Sequence, residues 1–302
     1  MNKHAPTSEQ EPTQLSKLDA HSPALFVTAR DAVSIKGGTI FGAATVLDDT
    51  PVHPPQAGYI TGSDYFVRVA DGVVLATLAH GLPADDGILG GFHYAPGGNA
   101  SARAGGDDVP AINPCSLWDV NFRPTCPDPR GMTLIAAPHG KFWCDIYLTG
   151  VDHLADGTSR FGVTIADGED CPLNPSTGKT AERFDYATAS AVMAQHGKAL
   201  LRLEDFFAAA IGVAEKSAAG RDPKNTRLDA PRTSRFGLMQ ATGNLWIWGH
   251  DGDPDEPRAS LFGGSWFGGD HAGSRYAAVG HWPDNSGGTL GARGRSGHLQ
   301  PV

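Results

Sequence analysis

The chain has 302 residues, a formal net charge of −9 and a pI near 5.7. That balance argues against nucleic-acid binding, which needs a basic face. No apolar run approaches the roughly 20 residues of a membrane-crossing helix, and the polar start Met1-Asn2-Lys3-His4 lacks the apolar centre of a secretory signal, so synthesis in the cytoplasm without membrane insertion is expected.

Residues 1–22 are polar, carry Pro6, Ser8, Gln10 and Pro12, show no periodicity and read as a disordered lead. From Pro23 the texture changes to short β-prone runs. These are Ala24 to Val27, Val33 to Ile35, Thr39 to Phe41, Tyr65 to Val69 and Val73 to Leu75. Asp71-Gly72 between two such runs is a hairpin signal. Leu89 to Tyr94 and Leu117 to Phe122 complete the set, with a Gly-rich loop from Gly97 to Asp108 between them. Short strands at this spacing predict a β-sandwich domain over 23–123.

Pro124, Pro127 and Pro129 mark the next boundary, and 124–302 read as a second domain. Phe142 to Leu148 and Phe161 to Ile165 are predicted strands. A helix is predicted from Tyr186 to His196, with Asp185 as its N-cap and Tyr186, Ala189, Val192 and Met193 on its apolar face. A second is predicted from Glu204 to Lys216, buried through Phe206, Phe207, Ala210 and Ile211, with acidic residues in its first turn. Gly220 to Ser234 reads as a surface loop. From Ala241 to Leu299 the pattern is neither helical nor cleanly β. Gly recurs every few residues, and Trp246, Trp248, Trp266 and Trp282 are four of the chain's six Trp. Gly permits tight turns, while Trp supplies large rigid surface, so turns pinned to a core and displaying loops are expected.

Cys115, Cys126, Cys144 and Cys171 form no CxxC pair, which argues against a zinc knuckle. Reduced, buried thiols are the expectation, with a Cys115–Cys126 disulfide left open. Asp251, Asp253, Asp255 and Glu256 form an acidic loop. Pro254 and Pro257 interrupt it and EF-hand spacing is absent, so a solvated loop is expected over a calcium site. Of the histidines, His80, His139, His250, His271 and His281 form no HxxxH pair, and no GxSxG elbow occurs. No metal, cofactor or catalytic residue is assigned.

Two helices followed by a Gly/Trp-rich end resemble the C-type-lectin fold of the formylglycine-generating enzyme superfamily. The residues that carry this are Gly197 to Leu201, Glu204 to Phe206, Gly243 to Trp248, Gly263 to Trp266 and Ser274-Arg275. A closer resemblance, over Ala24 to Leu299, is to the major tropism determinants of phages. It rests on Gly91 to Gly97, Ser116 to Asp119, Phe122 to Pro124 and Asp128 to Leu134. Asp145 to Leu148, Asp152 to Leu154, Asp156 to Ser159, Val163 to Gly168, His196 to Lys198 and Gly291 to Gly294 with His298-Leu299 extend it. His93, His153 and His196 lie in these segments and are expected to make structural hydrogen bonds. The family's N-terminal β-prism has no counterpart in residues 1–22, and Arg295-Ser296-Gly297 departs from the family's ending.

The resemblance implies an α+β protein: an N-terminal β-sandwich followed by a C-type lectin-like domain with two helices and a loop-rich β core. It implies a homotrimer on the virion tail fibre, whose partners are other tail-fibre proteins and a bacterial surface receptor, protein or glycan. It also implies terminal loops diversified by a retroelement acting on the gene. Trp246, Trp248, Gly263, Gly264, Trp266, Arg275, Gly291, Arg293 and Gly294 are then frame, with a planar Arg holding several carbonyls. Phe267, Asp270, His271, Tyr276, Val279, His281, Trp282, Asp284, Asn285, Thr289 and Leu290 fall where that family displays variable side chains. Aromatic and short polar residues among Gly are also what paratopes use. The leading expectation is a receptor-binding adhesin, not an enzyme. A formylglycine-generating-type oxidase is the alternative, opposed by the absence of any Cys after Cys171. A host-encoded diversified ligand-binding protein is the third.

Overall fold

A computed structural model describes residues 15–42, 44–46, 48–70, 73–79 and 87–299. Most of the expected lead, the Asp71-Gly72 turn and His80 lie outside the described residues.

Three small sheets close on the first core. Leu25–Ala29, Ala32–Ile35 and Thr50–Pro51 form one sheet, and Leu15–Ser16, Thr39–Phe41 and Ala44–Val46 a second. In the third, Ala111–Ile112, Ile88–Ala95, Ser63–Ala70 and Val73–Leu78 lie in that order, all antiparallel. Ala70 pairs with Val73 at the end of the antiparallel ladder between Ser63–Ala70 and Val73–Leu78. Leu25, Val33, Ile35, Tyr65, Val67, Leu89 and Phe92 bury their side chains between the sheets. Trp118–Asp119 crosses Ile88–Ala95 so closely that a Cβ on Gly90 would lie 2.1 Å from the Trp118 carbonyl. Glycine is required there by space.

The lead is shorter than expected. Leu15 is buried, Leu15–Ser16 pairs with Phe41 and Ile40, and Lys17 Nζ donates to buried Asp119 at 2.7 Å. Leu15 therefore joins the first core and Lys17 is drawn onto it, because buried Asp119, which also accepts from the Ala24 N–H at 2.7 Å, needs cationic and amide partners.

The second half is built on one long sheet. Its order is Met132–Ala137, Gly140–Asp145, Gly294–Gly297, Ala199–Arg202, Trp246–His250, Ala259–Phe262 and Ala277–Ala278. Leu290–Gly291 adds a parallel pairing to Trp246–His250. The last strand is thus inserted between two earlier ones rather than laid on an edge.

Helix Tyr186–Ala194 starts as predicted: the Asp185 carboxylate accepts from the Thr188 N–H at 2.9 Å. Ala189, Val192 and Met193 pack beneath it with Phe184 and Trp248. The second helix, Leu203–Ala209, stops well before the expected Lys216. Gly212 turns at φ +104°, and its carbonyl accepts the Gly105 N–H of the first half at 2.8 Å. A long-range bond captures the chain where local propensity favoured more helix.

Other boundaries moved. Phe161 to Ile165 makes only single bridges, Gly150 with Ile165 and Thr164 with Asn225. Leu117 to Phe122 is strand only at Trp118–Asp119, and a short helix, His153–Asp156, was not foreseen. The two halves share cores. Phe66, Ile88, Trp118 and Phe122 pack with Cys126, Met132 and Trp143, and Ala95 packs with Ile146, Tyr147 and Met239. The expected boundary at residue 124 falls inside this common packing. All four cysteines are free thiols, and burial pushes Cys115 up to about 11 and Cys144 up to about 12.

Candidate functional site

Arg293 sits between the strands Leu290–Gly291 and Gly294–Gly297 and is fully buried. One terminal nitrogen, Nη1, donates to the carbonyls of Asp145 at 2.7 Å and Ile146 at 2.6 Å. The other, Nη2, donates to Met239 at 2.6 Å and Gln240 at 3.3 Å. A planar fork thus ties three remote segments together. Burial holds its pKa below the ordinary guanidinium value. Asp145 also takes the Gly294 N–H at 3.0 Å and Lys198 Nζ at 2.7 Å, an ion pair with no exposed surface on either side. A Cβ at Gly294 would lie 2.5 Å from that carboxylate.

Trp248 is likewise buried and donates through Nε1 to the Phe184 carbonyl at 3.1 Å. Trp246 and Trp266 are half-buried. Gly264 adopts φ +78°, and a side chain there would strike the His271 carbonyl. Arg275 departs from the expected frame. It is exposed, its side chain makes no hydrogen bond or ion pair among the described residues, and the carbonyl-holding role belongs to Arg293.

From Gly263 to Thr289 the chain leaves the sheet, touches its edge again at Ala277–Ala278 and returns, held mainly by backbone bonds. Gly263 N–H donates to Tyr276 O at 2.8 Å, Gly273 N–H to Gly263 O at 3.0 Å and Trp266 N–H to Asn244 O at 2.8 Å. A strap, 215–221, runs behind it. Ser217, Ala218 and Gly220 donate their N–H groups to the carbonyls of Ala272 at 3.2 Å, Gly269 at 3.0 Å and Trp266 at 3.0 Å. Farther on, His281 N–H reaches Ala259 O at 2.7 Å, and Pro283 O accepts from Tyr186 N–H at 3.1 Å. Such bonds are indifferent to side-chain identity.

The side chains on this run point outward to different degrees. Phe267 is 79% exposed, Trp282 77% and Val279 54%. Asp270, His271, Asp284 and Asn285 are exposed. Tyr276 is half-buried and its hydroxyl donates to the Asp270 carbonyl at 2.8 Å. His281 is half-buried too; Asn285 Nδ2 lies 3.0 Å from its Nε2, and its ring lies 6.0 Å from that of Trp248. Thr289 is half-buried. Leu290, expected on display, is only 4% exposed. Its strand pairs with Trp246, which turns it into the core.

The strap and its brace were not legible in sequence. Arg103, from the first half, donates to Glu215 Oε1 at 3.1 Å and Ser274 Oγ at 3.3 Å, and Ser274 Oγ donates to Glu215. No local pattern announces a contact between residues this far apart.

The remaining candidates resolve as structure. His93 bonds Asp64 at 3.1 Å and Tyr147 Oη at 2.9 Å, and His196 bonds the Leu154 carbonyl at 3.1 Å. His153 does not follow them. It is buried, neither ring nitrogen has a partner, and burial pushes its pKa well below the usual range. In the acidic loop, Asp251 accepts the Asp253 and Arg258 N–H groups, and Asp253 those of Asp255 and Glu256. These carboxylates cap their own turn, and among the described residues no His, Cys, Asp or Glu group is placed to hold a metal. A cleft of about 730 Å³ lies between the two halves, but its arginines are already paired, Arg130 with Asp128 and Arg160 with Asp152 and Asp156.

No protein-family model matches the chain. It is 38% identical over 329 residues to the tail fiber receptor-binding protein of Bordetella phage BPP-1, spanning 95% of this chain and 85% of that one. Among solved structures it is similar to the Major Tropism Determinant M1 variant, with a TM-score of 0.86 and 37% identity over 95% of this chain and 86% of that one. The chain belongs to the major tropism determinant family. Another of that family, the U1 variant, gives a TM-score of 0.85 at 36% identity over 94% of this chain and 86% of its own. This member shares the family's mixed, sheet-rich architecture with few helices.

Proposed function

We propose that this chain is the receptor-binding protein of a phage or prophage tail fibre, and that it recognises a bacterial surface receptor through the run between Gly263 and Thr289. The observation that carries this reading is the division of labour in that run. Backbone bonds hold its path, while Phe267, Val279 and Trp282 present apolar surface to solvent. Large exposed aromatics are costly on a surface without a partner and are typical binding anchors. Membership of a family that includes a tail fiber receptor-binding protein supports the same assignment.

In this reading the three-sheet core is the β-sandwich domain and the long-sheet half, with its helices, is the C-type lectin-like domain. The contact set is Phe267, Asp270, His271, Tyr276, Val279, His281, Trp282, Asp284, Asn285 and Thr289; Leu290 leaves it for the frame. Three chains assemble at the fibre tip with other tail-fibre proteins, so weak single sites gain by avidity. The protein binds rather than catalyses. All its thiols precede the display run, and burial raises the pKa of each, away from nucleophilic chemistry.

The test replaces Phe267, Val279 and Trp282 with Ser together. Melting temperature and the trimer mass by light scattering are expected to stay at parental values, while adsorption to the cell that binds the parent is lost. Unchanged adsorption, or collapse of the fold, contradicts the assignment.

A further inference from the structure

The strap behind the display run carries charge as well as hydrogen bonds. Its sequence, Glu215-Lys216-Ser217-Ala218-Ala219-Gly220-Arg221, holds one acid and two bases. Glu215 is taken up by Arg103 and Ser274. Lys216 and Arg221 are exposed, and neither side chain has a hydrogen bond or ion pair among the described residues. Arg275, on the run itself and next to Ser274, is in the same condition. Neighbouring cations differ: Arg232 is paired with Asp229 at 2.7 Å, and Lys224 with Asp222 at 3.0 Å and Glu169 at 3.3 Å. Three cations without a side-chain partner among the described residues thus lie on the strap and the run. Between Gly263 and Ala278 the one opposing carboxylate is Asp270, and Asp284 lies farther on.

The strap and run together hold three bases and three acids, Glu215, Asp270 and Asp284, and so lack the excess of acid that the whole chain carries. A chain of net charge −9 is repelled by a bacterial envelope, whose surface glycans carry phosphate and carboxylate groups. Cations beside the run lower the repulsion there and orient the approach, an effect on association rate that salt screens. Arg forks also match phosphate and carboxylate geometry. The three side chains sit on separate, exposed positions. That suits charge repeated along a polymer better than a single buried anchor.

We propose that Lys216, Arg221 and Arg275 form a cationic rim that draws this end of the protein onto an anionic polysaccharide of the bacterial surface before the display run engages its receptor. The inference rests on the receptor-binding reading above. It makes recognition a two-step event: a fixed, salt-sensitive first contact, then a side-chain-specific one.

The experiment uses the full chain carrying Lys216→Glu, Arg221→Glu and Arg275→Glu together, and a second triple variant with Gln at the same positions. Binding is read on immobilised dextran sulfate and on uncharged dextran, and adsorption rate on cells that take up the parent, at low and high salt. The parent is expected to bind dextran sulfate and not dextran, and the Glu variant to lose that binding. At low salt the Glu variant is expected to adsorb about tenfold more slowly, with the Gln variant between, and the difference to vanish at high salt. If the Glu variant fails to fold, the Gln variant and the parent's own salt dependence decide. Equal rates at low salt, or equal binding of the parent to both dextrans, overturns the rim. A deficit abolished by protease treatment of the cells but not by periodate oxidation of their glycans overturns the polysaccharide assignment in favour of an acidic protein. Should the parent adsorb to no cell tested, the receptor-binding reading falls, while the dextran comparison still judges the rim.

Discussion

Arg275 and Arg293 occupy similar glycine-rich sequence and live in different worlds. Arg293 is fully buried, with four carbonyls on its guanidinium. Arg275 is exposed and holds none. The surroundings of Arg293 cannot change without leaving buried acceptors unpaired, because four backbone groups depend on one side chain. The run around Arg275 depends mainly on backbone N–H and C=O groups, which every residue but Pro supplies in full, with Ser274 braced by Arg103 and Glu215. The difference teaches how a protein keeps one fold while presenting different surfaces. Fixed side chains are concentrated where they hold backbone, and the displayed ones are carried on a path held mainly by backbone bonds.

The comparison breaks most visibly at Arg293. Arg293→Met removes the donors from four buried carbonyls and is expected to cost more than about 3 kcal/mol. Denaturant unfolding measures it; a loss below about 1 kcal/mol would show that water replaces the guanidinium at little cost.

Next comes Leu290, which sequence placed on display and the fold placed in the core. Leu290→Ala is expected to cost about 2–5 kcal/mol as a buried large-to-small change. A near-neutral result would return Leu290 to the surface set.

A smaller, pH-dependent effect probes the frame at His298. Its Nδ1 accepts from Trp143 Nε1 at 3.0 Å, and burial, with Lys141 and Lys17 nearby, lowers its pKa from 6.5 to about 4. The unfolded chain therefore takes up this proton first. The contribution to stability is complete above about pH 6.5 and is lost as pH falls toward about 4. Melting temperatures across that window are expected to decline less in His298→Gln, which keeps an acceptor for Trp143 but does not titrate. Identical slopes in parent and variant would remove His298 from the account.

The smallest effect belongs to Arg275. Arg275→Ala is expected to shift stability by less than about 0.5 kcal/mol, as for a surface position without partners. A loss comparable to that of Arg293→Met would restore it to the frame.

Several features were legible because their causes are local. Asp185 capping Tyr186–Ala194 and the Thr39–Phe41 strand depend on a few neighbouring residues. The four-residue spacing between Ala189 and Met193 likewise identified the buried helix face. The frame glycines and the exposure of Phe267 and Trp282 followed from family resemblance rather than from any periodicity.

What failed to read shares one cause. The helix predicted through Lys216 ends early because Gly105 captures the Gly212 carbonyl and the freed strap bonds to the display run. Leu290 is buried because its strand pairs with Trp246. Lys17 is drawn onto the first core because it reaches buried Asp119. His153 lies in a family-matching segment, yet among the described residues no hydrogen-bond partner reaches its ring nitrogens, and the His196 ring packs edge-on against it at 5.5 Å. By itself, the sequence determined turns, caps, the two main helices' starts and the sheet-rich class, since these arise from torsional preferences and contacts within about one or two turns of chain. Only the tertiary structure decided which arginine holds the frame, which apolar residues face solvent and where the strap lies. Those depend on the last strand entering the sheet between Gly140–Asp145 and Ala199–Arg202, a pairing between segments that no local pattern specifies.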